Sequence, residues 1–277
     1  MRPAFDQLRV AVVTGGGHGI GRALCRRLAS LAETVVVADI DGAAAATVAG
    51  EIGGVARELD VANEQQLAAL VEEVERDLGA IDLFVSNAGV GFGDGESGAA
   101  SRDAGMRPIE DRWAACLNVN LMAHVYAARA LVPRMRSRGG GYLINVASAA
   151  GLLSQIGDAA YTASKHAAVA FAESLAITHG EEGIQVSVVC PQAVATRMIG
   201  VPDDADSIDG GFGGNDVDGV LRPEAVAQIV VQAATAGEFL ILPHPEVATY
   251  EQRKAADRSR WIRGMQRFRK QLLQSDD

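Results

Sequence analysis

Short runs rich in Val, Ile and Leu alternate along the chain with longer Ala/Leu-rich segments whose apolar residues recur at helical spacing. The short runs predict strands at Arg9 to Val13, Thr34 to Ala38, Val55 to Leu59, Ile81 to Ser86, Gly141 to Ala147, Gln185 to Cys190 and Glu238 to Leu242. Strands that are apolar nearly throughout belong to sheets covered on both faces, because no residue along them meets water. Strands alternating with helices predict repeated βα units around a parallel sheet. The pattern therefore predicts one α/β domain of the doubly wound kind, and no internal repeat interrupts it.

Two segments break the alternation, and both follow strand ends, where open α/β sheets bind ligands. Gly89 to Pro108 is rich in Gly, Ser and Asp and reads equally as a surface loop. Val201 to Arg222 carries a glycine-rich centre, Gly210-Gly-Phe-Gly-Gly-Asn-Asp, within a region offering Ile199, Val201, Ile208 and Phe212 as apolar contacts. It predicts a lid over a substrate, with the substrate loop spanning about 197–222. Beyond it, Val247 to Leu273 predicts one long helix with Tyr250, Trp261, Met265 and Phe268 among many Arg and Lys residues. That aromatic side is expected to pack against a neighbouring subunit. The chain thus divides into a domain of residues 1–245 and a helical extension of residues 246–277.

Charge narrows the partners. The 277 residues carry a formal net charge of −10, which argues against general binding of nucleic acid, since phosphates require a basic surface. Cys25, Cys116 and Cys190 are isolated, without Cys-x-x-Cys spacing or a Cys/His cluster, so neither a disulfide framework nor a metal site is expected. The start of the chain lacks a basic segment leading into a long apolar stretch, and the apolar region Tyr142 to Gly157 is interrupted by Asn145, Ser148, Ser154 and Gln155. A cleaved leader and a membrane span are therefore not expected, and a cytoplasmic location is.

The first chemical motif is Thr14-Gly-Gly-Gly-His-Gly-Ile-Gly21, which follows the first predicted strand and opens the first helix. Gly15, Gly17, Gly19 and Gly21, with His18 and Ile20, build a turn whose backbone can approach a pyrophosphate and offer it free amides. Asp39 ends the second strand, roughly twenty residues on, where a carboxylate can accept from ribose hydroxyls and repel a 2′-phosphate. His18, Ile40 and Asp41 supply no compensating positive charge, so NAD is expected over NADP. The second motif is Tyr161 and Lys165, one helical turn apart. A cation beside a phenol favours its ionised form, which suits a Tyr to proton transfer.

Taken together, Thr14 to Gly21, Asn87-Ala-Gly89, Asn120, Ser148 and Tyr161-x-x-x-Lys165 resemble the short-chain dehydrogenase/reductase family over most of the chain, from about Leu8 to Leu242. The resemblance implies a single Rossmann-type domain with a seven-stranded, mainly parallel sheet, a nicotinamide cofactor, interconversion of an alcohol and a ketone, and a homodimer or homotetramer. It implies that Asn120, Ser148, Tyr161 and Lys165 are catalytic, with Tyr161 exchanging the proton, Ser148 orienting the substrate oxygen, Lys165 lowering the Tyr pKa and holding the nicotinamide ribose, and Asn120 completing a proton relay. Asp60 and Val61 resemble the adenine-contacting position, and Asn87, Ala88 and Gly89 a cofactor-proximal motif. Pro191, Val194 and Thr196 resemble the segment facing the nicotinamide carboxamide. Gln192 departs from the Gly usual after that Pro, and with Gln155, Ser148 and Tyr161 is assigned to the substrate. Read without the family, Asp39 and Asp60 are helix caps, Asn118 competes with Asn120, and Thr162 and Ser164 fall on other helical faces. An NADP-dependent ketoreductase and a nucleotide-sensing protein without catalysis remain the alternatives.

Overall fold

The computed structural model describes residues 5, 8–93, 109–205, 208 and 217–275. Seven parallel strands form one sheet in the order β3-β2-β1-β4-β5-β6-β7. They are β1 (Leu8–Thr14), β2 (Ala32–Asp39), β3 (Val55–Glu58), β4 (Ile81–Ser86), β5 (Gly141–Val146), β6 (Ile184–Val189) and β7 (Leu240–Ile241). Each lies on its predicted run to within a residue or two at either end. Because every pair is parallel, all seven carboxyl ends emerge along one edge. The strand order reverses between β1 and β4, and a crevice opens there.

Helices cover both faces of the sheet, as its apolar strands require. Against one face, α1 (Gly19–Leu28), α2 (Gly42–Ile52) and α7 (Pro223–Ala236) bury Leu24, Val48 and Val230 on Val13, Val37 and Ile144. On the other, α3 (Glu64–Asp77), α5 (Ala123–Ser137) and α6 (Ala159–His179) bury Leu67, Leu131 and Ala172 on Val12, Phe84 and Val188. The three cysteines are buried and free. Among the described residues, no helix is long and apolar enough to cross a membrane.

Three local expectations are corrected. The caps assigned to Asp39 and Asp60 belong to neighbours: Asp41 accepts from the Ala44 amide at the start of α2, and Asn63 accepts from the Gln65 and Gln66 amides at the start of α3. Asp60 instead closes a turn onto the Ala62 amide, and Asp39 is directed inward. The predicted helix from Val247 to Leu273 is two helices, α8 (Glu246–Ala256) and α9 (Arg258–Ser275). Asp257 adopts an extended backbone between them, and its carboxylate accepts from the Arg260 amide, so a capping side chain stops one helix and starts the next. Phe212 and the glycine-rich centre of the predicted lid, like residues 94–108 of the other interruption, lie outside the described residues.

The turn from β1 into α1 is the tightest packing near the crevice. A Cβ on Gly21 would stand 2.0 Å from the Gly15 carbonyl oxygen and 2.5 Å from the Asn87 side-chain nitrogen, so the Gly15 backbone would have to move and the Asn87 amide would lose its place. Gly21→Ala is expected to lower stability by roughly 1–3 kcal/mol and to weaken dinucleotide binding. Thermal melting with and without dinucleotide measures both, and an unchanged melting point would refute the packing argument.

Candidate active site

The carboxyl edge is built from the strand ends upward. Gly15 has φ of +62°, and a side chain there would meet the Ala88 Cα at 2.9 Å, so the loop after β1 can lie against β4 only as glycine. The Asn87 side-chain amide donates to the carbonyls of Thr14 at 2.9 Å and Gly15 at 3.2 Å. In return, the Thr14 hydroxyl accepts from the amides of Asn87 at 3.0 Å and Ala88 at 3.2 Å. Asn87-Ala-Gly89 is therefore a tie between two strand ends as well as a turn. Beside it, the buried Asp39 carboxylate accepts from the amides of Gly17 and Asp41, each at 2.9 Å.

At the amino end of α1 the chain supplies its own anion. The Asp203 carboxylate accepts from the Gly19 amide at 2.8 Å, lies 2.8 Å from His18 Nδ1 and pairs with Arg197 Nε at 2.9 Å. Burial raises the Asp203 pKa, but the Gly19 amide, His18 and Arg197 together hold it below the usual carboxylate range. Helix-end amides with the Arg197 guanidinium and the His18 ring close by are the environment a pyrophosphate needs, so the residues present fit a dinucleotide. Sequence reasoning assigned neither Asp203 nor Arg197 to this helix end.

Tyr161 and Lys165 lie in the first turns of α6, which Asp158 caps by accepting from the Tyr161 amide at 2.9 Å. The other oxygen of Asp158 accepts from the amides of Phe92 and Gly93, at 3.0 and 2.9 Å, and so draws the loop after β4 toward the same helix. Lys165 is buried, and its ammonium donates to the Val146 carbonyl at 3.0 Å, 5.6 Å from the centre of the Tyr161 ring. Burial pushes the Lys165 pKa down to about 8.

Burial pushes the Tyr161 phenol up to about 12, with the neighbouring Ser148 hydroxyl opposing the rise. Desolvation dominates. Ser148, just past β5, accepts from the Ala150 amide at 3.1 Å and reaches the Pro191 carbonyl at 3.4 Å.

Burial separates the two Asn candidates, with Asn118 exposed and Asn120 fully buried. Both sit in a π-helical turn, Asn118–Met122, between α4 (Ile109–Leu117) and α5. Asn120 Oδ1 accepts from the Val90 amide at 2.8 Å, while its Nδ2 donates to the Val90 carbonyl at 2.9 Å and the Ser164 hydroxyl at 3.0 Å. A methyl group on Gly89 would lie 3.4 Å from both Asn120 Oδ1 and Lys165 Nζ, so the two groups border one small space.

Ser164 and Thr162, set aside on sequence grounds, turn out to be structural partners. The Ser164 hydroxyl donates to the Tyr161 carbonyl at 2.8 Å, and Thr162 Oγ1 accepts from the Gln155 amide at 2.9 Å. His124 was missed altogether. It is buried with neither ring nitrogen hydrogen-bonded among the described residues, and its pKa falls to about 3 through burial and the nearby Lys165.

One cavity of about 1060 Å³ runs along the edge and joins these parts. Ser148, Gln155, Tyr161 and Gln192 all line it, as do Asp60, Val61, Pro191, Val194 and Thr196. Gly17 and Gly21 do not line it and act from behind, Gly17 through Asp39 and Gly21 by close packing. Phe92, Leu153, Ile156 and Met198 contribute apolar lining to the same cavity. Trp261, Met265 and Phe268 of α9 line the same cavity. The aromatic side expected at a subunit contact therefore faces the site in this chain.

Burying Lys165 costs stability while it is charged. Its folded pKa, about 8, lies below the ordinary lysine value of 10.5, so the cost is complete below pH 8 and is relieved as pH rises toward 10.5. Lys165→Met is expected to be more stable than the parent at pH 7, by roughly 1–3 kcal/mol. The gap should narrow by pH 10, and chemical denaturation at the two pH values measures it.

The model of the short chain dehydrogenase family matches residues 9–205. A 1-deoxy-11-beta-hydroxypentalenate dehydrogenase from Streptomyces arenae is 35% identical over 251 residues, covering 87% of this chain and 84% of that protein. A cis-4-hydroxycyclohexanecarboxylate dehydrogenase from Sinomonas cyclohexanicum is 30% identical, covering 87% of this chain and 95% of that protein. Among solved structures, a short chain dehydrogenase/reductase from Burkholderia phymatum in complex with NAD superposes with a TM-score of 0.78 at 27% identity, covering 92% of this chain and 95% of that one. The sheet order, the glycine turn at its switch point and the match over residues 9–205 agree, and the chain belongs to the short-chain dehydrogenase/reductase family, oxidoreductases that bind a nicotinamide cofactor.

Proposed function

We propose that this enzyme interconverts a cyclic secondary alcohol and its ketone with NAD. The observation that carries the reading is the meeting of Ser148, Tyr161 and Lys165 at the carboxyl edge, on the cavity that also contains the glycine turn and Asp39. When bound, the nicotinamide ring supplies the hydride acceptor or donor. Tyr161 takes the alcohol proton in oxidation and returns it in reduction, and the Ser148 hydroxyl holds the reacting oxygen. Lys165 places a positive charge next to the phenol and holds the nicotinamide ribose. Asn120, across the small space beside Gly89, links the lysine to a proton path.

Asp39 supports NAD. Its carboxylate is buried and already accepts two backbone amides, so a 2′-phosphate would meet a fixed negative charge. The apolar wall of Phe92, Leu153, Ile156 and Met198 supports a compact hydrocarbon skeleton. Two of the relatives are dehydrogenases whose names specify a hydroxycyclohexane carboxylate and a hydroxypentalenate, which supports a ring-borne alcohol here.

Four measurements bear on this reading. A screen of cyclic and acyclic secondary alcohols with NAD, followed by NADH absorbance, is expected to find turnover among the cyclic ones, and none with any alcohol would refute it. Tyr161→Phe should keep NAD affinity and lose about 10²–10⁴-fold in kcat. NAD should bind more tightly than NADP, with Asp39→Ser narrowing the difference; tighter NADP binding by the parent would favour the ketoreductase alternative. Because burial pushes the phenol well above its ordinary range, its protonated form is favoured at neutral pH. The kcat/KM for oxidation should therefore climb as pH rises from 7 to 9, and that for reduction should not.

A further inference from the structure

We propose that Lys254 is a positioning residue for the substrate half of the site, tying the turn after Ser148 to the helices that wall the cavity. The inference rests on the reading of that cavity as an alcohol site. Lys254 lies on α8, in the extension beyond the sheet, and is only 8% exposed. Its ammonium donates to the carbonyls of Leu152 at 2.5 Å and Leu153 at 2.6 Å, and lies 3.1 Å from His166 Nε2.

The proton count closes. His166 Nδ1 lies 2.9 Å from the Thr162 carbonyl, and a carbonyl can only accept, so Nδ1 carries the hydrogen. Nε2 is then an acceptor, which matches the third N–H of the ammonium. The two carbonyls lie just beyond the 3₁₀ turn Ala149–Gly151 that Ser148 caps. Carbonyls at the end of a helical turn lack partners within it and attract a cation. Burial lowers the pKa of Lys254, so the charge is held there at a cost and by good geometry.

Three pieces of the site meet at this one nitrogen. The first is the turn running from Ser148 to Leu153, whose last residue lines the cavity beside Ser154 and Gln155. The second is α6, since His166 follows Lys165 directly. The third is the C-terminal pair of helices. Ala149, Leu153 and Val247 form a buried cluster against which Tyr250 and Trp261 pack. Trp261, Met265 and Phe268, spaced to share one face of α9, continue from that cluster along the cavity wall. Among the described residues, Lys254 hydrogen-bonds to Leu152, Leu153 and His166 and not to the glycine turn or Asp39, so alcohol recognition should depend on it and dinucleotide binding should not.

Lys254→Met is the test, with Lys254→Gln, which keeps N–H donors, as the milder variant. The expected result is a KM for the alcohol raised about tenfold or more, kcat within threefold of the parent, and an unchanged NAD dissociation constant by fluorescence titration, with Lys254→Gln intermediate. In a double-mutant cycle with Trp261→Ala, the effects on KM should be less than additive, because both substitutions release the same wall. Hydrogen exchange should quicken in Ala149 to Gln155 and in α8 and α9, and not in β1 to β3. An unchanged KM, an equal loss of NAD affinity, additive effects or unchanged exchange would each overturn the proposal. The exchange measurement needs no turnover: if the parent oxidises no alcohol, the functional reading fails while the clamp is still decided.

Discussion

Where β1 and β4 diverge, their connections leave toward opposite faces of the sheet, and the polar groups at the strand ends lose the ladder that would otherwise pair them. Thr14 and Asn87 close that gap with one hydroxyl and one amide, which satisfy four backbone groups between them. A buried backbone group left unpaired costs as much as a lost hydrogen bond, so this tie lets the crevice exist without loosening the edge. Gly15 and Gly21 are then required by space, since the tie draws the loop after β1 against Ala88 and against itself. The cavity, the Asp39 pocket and the amino end of α1 all take their positions from this junction.

Charge at the site is arranged against the grain of burial. Lys165 is fully enclosed and held by one backbone carbonyl, and Tyr161 is pushed up to about 12 rather than down. Burial opposes the charged form of both groups, because both have lost their water. The oxidised nicotinamide of the family's cofactor is positively charged and would shift that balance toward the phenolate. At the other end of the cavity, Asp203 sits on the Gly19 amide with His18 and Arg197. The α1 terminus is thereby matched to a negative group, and the substrate-loop segment that carries Asp203 is linked to the same place.

The seven strands were legible because each is an apolar run of strand length, and burial on both faces demands that. The glycine turn, Asp39 and the Tyr161/Lys165 pair were legible because their chemistry depends on spacing along one element. The caps were misread at Asp39 and Asp60 because several side chains near a helix start can accept the same amides, and only backbone geometry selects Asp41 and Asn63. Ser164 was set aside because helical spacing turns it away from Tyr161; its partners are the Tyr161 backbone and an Asn on another helix. The break at Asp257 was hidden because the flanking residues keep a helical pattern on both sides.

By itself, then, the order of residues determined the fold class, the glycine turn and the Tyr161/Lys165 pair, since these follow from local periodicity and from which groups can do which chemistry, while Asn120 and Ser148 became catalytic candidates only through the family resemblance. Tertiary structure alone decided which of those groups share a cavity, that Asn120 rather than Asn118 is enclosed, that Asp203 meets His18, and that Lys254 spans from the last helices to the turn after Ser148. These contacts join residues about 100 or more positions apart in two of the cases. No periodicity records such distances, because they are set by how a parallel sheet brings all its carboxyl ends to one edge.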